Sequence, residues 1–206
     1  IELAGLGPLR RTGTLSIEKL DIEGTVISVI EWPNRTRFGT VAEIEFEHAT
    51  VDGDAVWYAS RLNPLNRLEG ERAAMARMDT MLVHFGDWTR WYDELTVVQE
   101  LERGGKRTWL VRAGGTDAPA TTYTVEAETG RVIGLETLVF VDGMGRIGQR
   151  RVFGEFEDVS GMLLPTEMRM RLPNEMIGDI SITFEESEVG VELPDGYFEL
   201  SDLRGD

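Results

Sequence analysis

The sequence predicts a mainly β protein with about ten or eleven antiparallel strands and one helical insertion. The strongest observation is a strict alternation in residues 164–172, with Leu, Thr and Met at every second position and Pro, Glu and Arg between them. Successive side chains of a strand point to opposite faces of its sheet, so this alternation predicts a strand with one apolar face. Ile180, Ile182 and Phe184 repeat the pattern. Gly, Asp and Asn separate such stretches at short intervals, which favours hairpins.

The first part of the chain predicts four strands, from alternating and β-branched residues. Pro33 and Asn34 end the second strand, because proline cannot donate a hydrogen bond to a neighbouring strand and asparagine favours turns. Asp52 and Gly53 form a hairpin turn signal before the fourth strand. These four strands are expected at residues 14–20, 25–32, 37–47 and 55–60.

Residues 70–85 predict the single helix of this β pattern. Its apolar residues recur at i, i+3, i+7 and i+10, which places them on one face of a helix. That face consists of Met75, Met78, Leu82 and Phe85. Gly86 is suited to end the helix, and Trp88 begins a second short helical turn with Trp91 and Tyr92.

Strands resume after the helix and continue in hairpins almost to the end of the chain. They are expected at residues 95–101, 107–113, 121–127, 132–141, 147–156, 163–172 and 177–186. Tyr197 and Phe198 in the tail are suited to packing over an open sheet edge. No change of composition marks a boundary, so the sequence predicts a single domain over residues 1–206.

Composition excludes several classes of function. The 206 residues carry 37 acidic and 21 basic side chains, a formal net charge of −16. That charge argues against binding to nucleic acid or to anionic lipid head groups, which need Lys and Arg. The chain has no cysteine, which excludes disulfides and thiol chemistry. It begins with Ile1 and has no run of about 18 apolar residues, so we expect a mature or excised fragment without its signal.

No catalytic or metal site is expected. His48 and His84 have no third metal ligand at a recognisable spacing. Nucleophile-elbow, phosphate-binding and dinucleotide-binding motifs are absent from the sequence. Paired glutamates such as those at 43, 45 and 47 alternate with apolar residues, which is typical of a solvated sheet surface.

The apolar residues leave two interpretations open. Five of the eight methionines lie in the helix and in the 163–172 strand, and flexible, polarisable Met side chains suit surfaces that accept varied apolar partners. The tryptophans and Phe140 supply further apolar area. These residues either fill an ordinary β core under the helix or line a cavity for a ligand.

Several turn motifs, in order along nearly the whole chain, give the sequence a family resemblance. They include residues 32–37 (WPNRTR), 51–57 (VDGDAVW), 123–130 (YTVEAETG), 156–165 and 193–200. In this order the motifs resemble those of the LolA- and LolB-like lipoprotein carriers, including the outer-membrane lipoprotein-sorting-like proteins. Glu126 or Glu128 stands where the family usually has Asp.

The resemblance implies a strongly curved, unclosed antiparallel β-barrel covered by helices, so that residues 1–206 form one LolA-like half-barrel. Its concave apolar face would hold an acyl chain or another apolar ligand without a cofactor. The ligand-binding residues expected on the sheet and the helical lid are Phe38, Ile44, Phe46, Trp57, Met75, Met78, Leu82, Phe85, Trp88, Met168, Met170, Ile180, Ile182 and Phe184. Arg35 or Arg37 is the expected fastening residue of the lid.

Two functions follow as expectations. The first is a non-enzymatic bacterial envelope protein, a monomer, that binds or carries a lipid or an acylated lipoprotein. It would be periplasmic, or anchored to the outer membrane and facing the periplasm. The second is a ligand-free interaction or scaffold module of a larger envelope protein, with its interior filled by side chains.

Overall fold

The computed structural model describes residues 5–42, 46–60, 64–80, 88–115, 120–141, 145–173 and 178–199. Within these residues the chain forms thirteen strands, one α-helix and two short 3-10 helices. The strands are β1 (Leu9–Ile17), β2 (Ile22–Glu31), β3 (Arg35–Ala42), β4 (Phe46–Asp52), β5 (Ala55–Ser60), β6 (Asn66–Leu68), β7 (Glu94–Arg103), β8 (Lys106–Gly114), β9 (Thr121–Glu126), β10 (Val132–Val141), β11 (Gly145–Val159), β12 (Met162–Arg171) and β13 (Asp179–Val189). The α-helix, α1, is Gly70–Thr80, and the 3-10 helices are Glu18–Leu20 and Trp88–Arg90.

All of these strands belong to one antiparallel sheet that curls without closing. Its strand order is β6-β5-β4-β3-β2-β1-β13-β12-β11-β10-β9-β8-β7. Almost every neighbour is also the next strand in the chain, so most pairings are hairpins. The exception is β1, which pairs with both β2 and β13 and thereby joins the two ends of the chain in the middle of the sheet.

The path from β6 to β7 explains where α1 lies. These two strands are consecutive in the chain but form the two opposite edges of the sheet. The connection between them must therefore cross one face of the sheet. Helix α1 is part of that connection and contacts β3, β4 and β5 on one side and β10 on the other. The sheet curls around the helix, and both halves of the sheet pack against it.

Among the described residues the hydrophobic core has three clusters, two of which include α1. The largest joins Met78 of α1 to buried residues of β8–β11, among them Tyr123 and Leu135. A second joins Ala73 of α1 to Val51, Val56 and Leu68. The third contains Leu9, Val159 and Leu164, away from the helix residues of the other two.

The predicted fold class is confirmed: the protein is mainly β, with a curled, unclosed antiparallel sheet and a helical insertion. The predicted strand at 37–47 is wrong, because it corresponds to two strands, β3 and β4. Apolar–polar alternation continues on both sides of residues 43–45, so the sequence pattern does not show that β3 and β4 run in opposite directions. Strand β6 was not predicted, since three residues are too few to show a period. Helix α1 agrees with the first eleven residues of the predicted helix.

Candidate functional site on the concave face of the sheet

We call the side of the sheet on which α1 lies the concave face, and strand pairing identifies its residues. Met168 packs against the cluster that contains Met78 of α1, so Met168 marks this face on β12. Ile182 pairs with Met168, and Leu15 pairs with Ile182. Directly paired residues point to the same side of a sheet, so the concave face continues across β13 and β1.

Half-buried apolar side chains from five adjacent strands form a continuous surface on this face, which we name the apolar floor. Leu15 pairs with Gly24, and Gly24 pairs with Ala42, which extends the face across β2 to β3. The apolar floor consists of Leu15, Ile17, Ile22, Ala42, Met170 and Ile180. The other described residues cover these side chains only in part.

The structure brings together six of the residues that the sequence predicts for a ligand site. Ile182 is buried, with 1% of its surface exposed, and the other five are half-buried. Phe38 belongs to the group because it pairs with Ala49, which in turn pairs with Tyr58, and Tyr58 packs against the cluster of Ala73. The six residues are Phe38, Met168, Met170, Ile180, Ile182 and Phe184.

Met75 and Met78, predicted for the lid, lie on α1, and each is only 4% exposed. Met78 packs into the largest cluster together with Leu135 and Phe153. Where α1 touches both halves of the sheet, side chains of the protein itself therefore fill the space. The apolar floor, together with the half-buried Phe38, Met168 and Phe184, keeps partly uncovered apolar area on the concave face.

Trp88 fixes the chain that follows the helical insertion to the concave face. Its ring stacks on Tyr123 with centroids 4.2 Å apart and planes 19° from parallel. Tyr92 completes this anchor, because its hydroxyl lies 2.9 Å from the hydroxyl of Tyr123. Burial raises the pKa of both tyrosines, so both stay neutral. An offset or stacked aromatic pair is worth about 0.5–1.5 kcal/mol beyond its buried area.

Trp57, which the sequence predicts for the cavity, lies on the opposite face. It alternates with Val56 and Tyr58, which face α1, and it pairs with Thr50. The prediction failed because Val, Trp and Tyr are consecutive in β5. Both faces of this strand are therefore apolar, and the sequence pattern does not show which face is the inner one.

Arg35 and Arg37 hold the C-terminal turn on this opposite, convex face. Arg37 Nη1 donates to the backbone oxygen of Tyr197 at 3.1 Å, and its guanidinium lies 4.9 Å from the Tyr197 ring centroid. The Arg35 guanidinium lies 5.3 Å from the ring centroid of Phe198, and Arg35 also forms an ion pair with Glu31.

Arg37 pairs with Thr50, on the same face as Trp57. The expectation that these arginines fasten the lid is therefore corrected: they fasten the tail. The tail itself covers β3, an interior strand, and not a sheet edge.

Three predicted residues, Ile44, Leu82 and Phe85, lie outside the described residues. Phe46 is the first residue of β4 and pairs in register with Val41. It therefore does not continue the strand of Phe38, as the sequence had suggested.

Sequence reasoning missed the buried polar residues of the concave face. Arg11 is 3% exposed and Arg151 is 4% exposed. Arg151 pairs with Leu135 and with Met170, and its Nε donates to Gln149 Oε1 at 2.5 Å. Arg11 follows Leu9 at the strand period of two and precedes Leu15 on the same face. That alternation in residues 9–15 is the signal that could have placed Arg11 on the inside.

A separate groove of about 550 Å³ lies on the convex face of β11, β12 and β13. Most of its lining residues alternate along the strands with Met168 and Ile182, which also line it, and three of the lining residues are arginines. The charged residues that line it are Arg150, Glu167, Arg169, Arg171 and Asp179. Arg171 donates two hydrogen bonds to Asp179, at 2.9 and 2.8 Å. The groove is lined by both polar and apolar groups, among them the predicted residues Met168 and Ile182. Most of its lining residues lie on the face opposite α1, so it differs from the cavity under a helical lid that the sequence predicts.

Among the described residues, no three His, Asp or Glu side chains are grouped so that they could hold a metal ion. In the same part of the chain, no helix is long and apolar enough to cross a membrane.

Solved structures with this architecture share little sequence with the chain. A LolA superfamily protein from Nitrosomonas europaea matches with a TM-score of 0.67 at 11% identity, covering 98% of this chain and 96% of that one. A DUF1329 family protein from Desulfovibrio piger matches with a TM-score of 0.64 at 13% identity, covering 98% and 93%. A domain assigned to outer membrane lipoprotein sorting from Vibrio parahaemolyticus matches with a TM-score of 0.62 at 9% identity, covering 97% and 92%.

These matches show that the chain has a LolA/LolB-like fold, as the sequence motifs suggested. At such low identity the likeness concerns the fold, and fold alone does not fix function. No protein-family model matches the sequence, and a search of curated proteins found no match either.

Proposed function

We propose that this protein is a non-enzymatic bacterial envelope protein that binds or carries a lipid-like or acylated ligand on its concave face. The ligand, a lipid or the acyl chain of a lipoprotein, lies between the apolar floor and helix α1. The protein acts as a monomeric half-barrel domain, either free in the periplasm or anchored to the outer membrane and facing the periplasm.

One observation carries the proposal: the apolar floor is a continuous apolar surface that other described residues cover only in part. An acyl chain gains about 0.8 kcal/mol for each CH₂ group that leaves water. About ten buried CH₂ groups would therefore contribute roughly 8 kcal/mol before the cost of ordering the chain. No charged partner is needed for such binding. The fold also supports the proposal. Of the solved structures that share it, one is named a LolA superfamily protein and another a domain for outer membrane lipoprotein sorting.

Ligand binding tests the proposal with two variants of the floor and one matched control. Met170→Gln and Ile180→Asn place a polar group on the apolar floor. Val152→Asn makes the same kind of change on the convex face, where Val152 is 47% exposed. Losing the apolar contact of one side chain should weaken binding of a fluorescent fatty-acid analogue roughly tenfold or more in each floor variant. The control should bind as the unmodified protein does.

Native mass spectrometry of the purified protein provides the second measurement. We expect a bound amphiphile that organic extraction removes. The proposal fails if the protein never takes up the analogue, or if all three variants bind it equally well.

The alternative, a ligand-free interaction module of a larger envelope protein, is favoured by a different observation. Strand β7 is an edge of the sheet, and Leu95, Val97 and Val98 on it are 41%, 59% and 44% exposed. An exposed apolar edge strand is suited to pairing with a strand of another protein. A Val97→Lys variant that loses an envelope protein partner, in a protein that binds no lipid, would favour this alternative.

A further inference from the structure

Arg11 is a buried cation on the concave face. Its side chain is 3% exposed, and it lies next to Phe184, with the guanidinium carbon 3.8 Å from the ring centroid. Its Nε donates to Ser187 Oγ at 3.2 Å, and its Nη2 donates to the backbone oxygen of Pro165 at 2.5 Å. Burying a guanidinium is costly unless its charge and its N–H groups are matched.

The charge of Arg11 is only partly matched. A guanidinium has five N–H donors, and two of them have hydrogen-bond acceptors among the described residues. In the part of the chain that the structure describes, the nearest carboxylate oxygen, Glu157 Oε1, is 3.9 Å from Nη2, beyond hydrogen-bond distance. This oxygen instead accepts a hydrogen bond from Ser187 Oγ at 2.6 Å. Burial lowers the pKa of Arg11 to about 10, and the charge of Glu157 only partly opposes that shift.

The buried charges of the concave face are opposite in sign to the protein as a whole. The chain has a net charge of −16, yet the buried charged residues of the described part are Arg11, Arg151 and Glu126. Glu126 is matched by Lys106 at 2.8 Å and by Arg131 at 3.4 Å. Both arginines lie on the concave face. The inside of the curl is therefore complementary to an anion, although the protein is acidic.

We infer that the ligand of the concave face is an amphiphile with an anionic head group, a carboxylate or a phosphate ester, and that Arg11 binds this head group. The inference rests on the proposed function and adds the class of ligand. Phe184, which covers one side of Arg11, leads along β13 to Ile182 and Ile180. These residues span about 13 Å at the usual rise of a strand, so a head group at Arg11 lets its chain lie on the apolar floor. Glu157, whose side chain is 40% exposed, moves aside as the head group takes its place.

Three ligands with the same alkyl chain test the inference: dodecanoate, dodecyl phosphate and the neutral dodecanol. Their affinities are measured at about pH 8, where the carboxylate is ionised and Arg11 is protonated. The unmodified protein should bind the two anions at least about tenfold more tightly than dodecanol, because a hydrogen bond to a charged group is strong where water is excluded. Arg11→Met should lose this preference and still bind dodecanol.

Arg10→Met is the matched control, since Arg10 is the neighbouring residue on the convex face, where it forms an ion pair with exposed Glu188. It should keep the preference for anions. Glu157→Gln removes the competing carboxylate and should raise the affinity for both anions severalfold, with dodecanol unchanged. This second variant tests the inference even if Arg11→Met does not fold.

The outcomes separate the inference from the proposed function. Binding of dodecanol without any preference for the anions overturns the inference and leaves the proposed function intact. The inference is also overturned if the Arg11→Met and Arg10→Met variants prefer the anions over dodecanol to the same extent. It is overturned as well if Glu157→Gln does not change the affinity for the anions. If none of the three ligands binds, the proposed function itself fails.

Discussion

Glu126 is a buried carboxylate that its neighbours hold in the charged form. Hydrogen bonds from Lys106 Nζ at 2.8 Å and from Thr129 Oγ1 at 2.5 Å lower its pKa below the ordinary value of 4.5. A carboxylate whose pKa is lowered by folding stabilises the folded protein above the ordinary pKa. That stabilisation is lost as the pH falls through the lower, folded value.

Glu126→Gln should therefore lower the free energy of unfolding near neutral pH, and it should flatten the loss of stability below about pH 4.5. Urea unfolding between about pH 3 and pH 7 measures both effects. Glu128→Gln is the control, because Glu128 is an exposed residue on the same turn. A pH profile of Glu126→Gln that is parallel to that of the unmodified protein would contradict the assignment.

Single residues could be placed from the sequence wherever the two faces of a strand differ. Met168, Met170, Ile180 and Ile182 alternate with charged or hydroxyl residues, so their common face was predictable. Arg11 was not, because a charged residue in an alternating strand is normally expected on the solvated face. Its burial depends on Ser187 and Pro165, which are more than 150 positions away in the chain.

At the scale of elements, α1 is stabilised by packing against the sheet. Met78 is 4% exposed and contacts the largest cluster of the core. Isolated helices of this length are marginal in water, so the contacts of this helix with the sheet hold it in place.

Met78→Ala should lower the free energy of unfolding by about 2–5 kcal/mol, because the methionine leaves a cavity between helix and sheet. Glu71→Ala is the matched change on the exposed side of the helix. Glu71 forms an ion pair of 3.1 Å with Arg146, and both side chains are more than half exposed, so its loss should cost at most about 1 kcal/mol. Thermal and urea unfolding compare the two variants, and equal losses would show that α1 is not anchored through Met78.

Helices and strands were predictable where they are long enough to show a periodic apolar pattern, and turns where they contain typical turn residues. The helix period of Met75 and Met78 and the hairpin turn at Asp52 and Gly53 both correspond to elements of the structure. The C-terminal turn was predicted to pack over the sheet, but at an open edge and not over the interior strand β3. Its place depends on Arg35 and Arg37, which face away from the helix, and a single strand pattern does not show which face a distant segment will cover.

At the scale of the molecule, one pairing holds the two halves of the sheet together. Strands β2–β6 form a ladder of hairpins on one side of β1, and β7–β13 form another on the other side. Hairpins follow from the order of the chain, because consecutive antiparallel strands usually pair. The pairing of β1 with β13 joins segments about 170 residues apart and leaves no local signal in residues 9–17. Its existence was predictable only through the resemblance to a half-barrel family.

Gly13 lies in this seam, opposite Phe184 and at an irregularity of the β1–β13 pairing. A Cβ atom at position 13 would stand 2.8 Å from the Cα of Phe184 and would collide with the backbone oxygen of Thr183. Backbone atoms cannot move aside as a flexible side chain can, so Gly13→Ala should force β1 and β13 apart. We expect a loss of about 3 kcal/mol or more, at the upper end of the cost of overpacking.

Gly148→Ala is the control, because a Cβ atom at that position of β11 meets no other atom within 4 Å. This variant should be as stable as the unmodified protein, or slightly more stable, since alanine restricts the unfolded chain. Urea unfolding measures the difference, and near-ultraviolet circular dichroism reports whether the packing of Trp88 on Tyr123 survives.

Because α1 contacts strands of both ladders, opening the seam should also loosen the helix and weaken ligand binding on the apolar floor. If Gly13→Ala and Gly148→Ala unfold at the same urea concentration, the seam does not hold the two halves together.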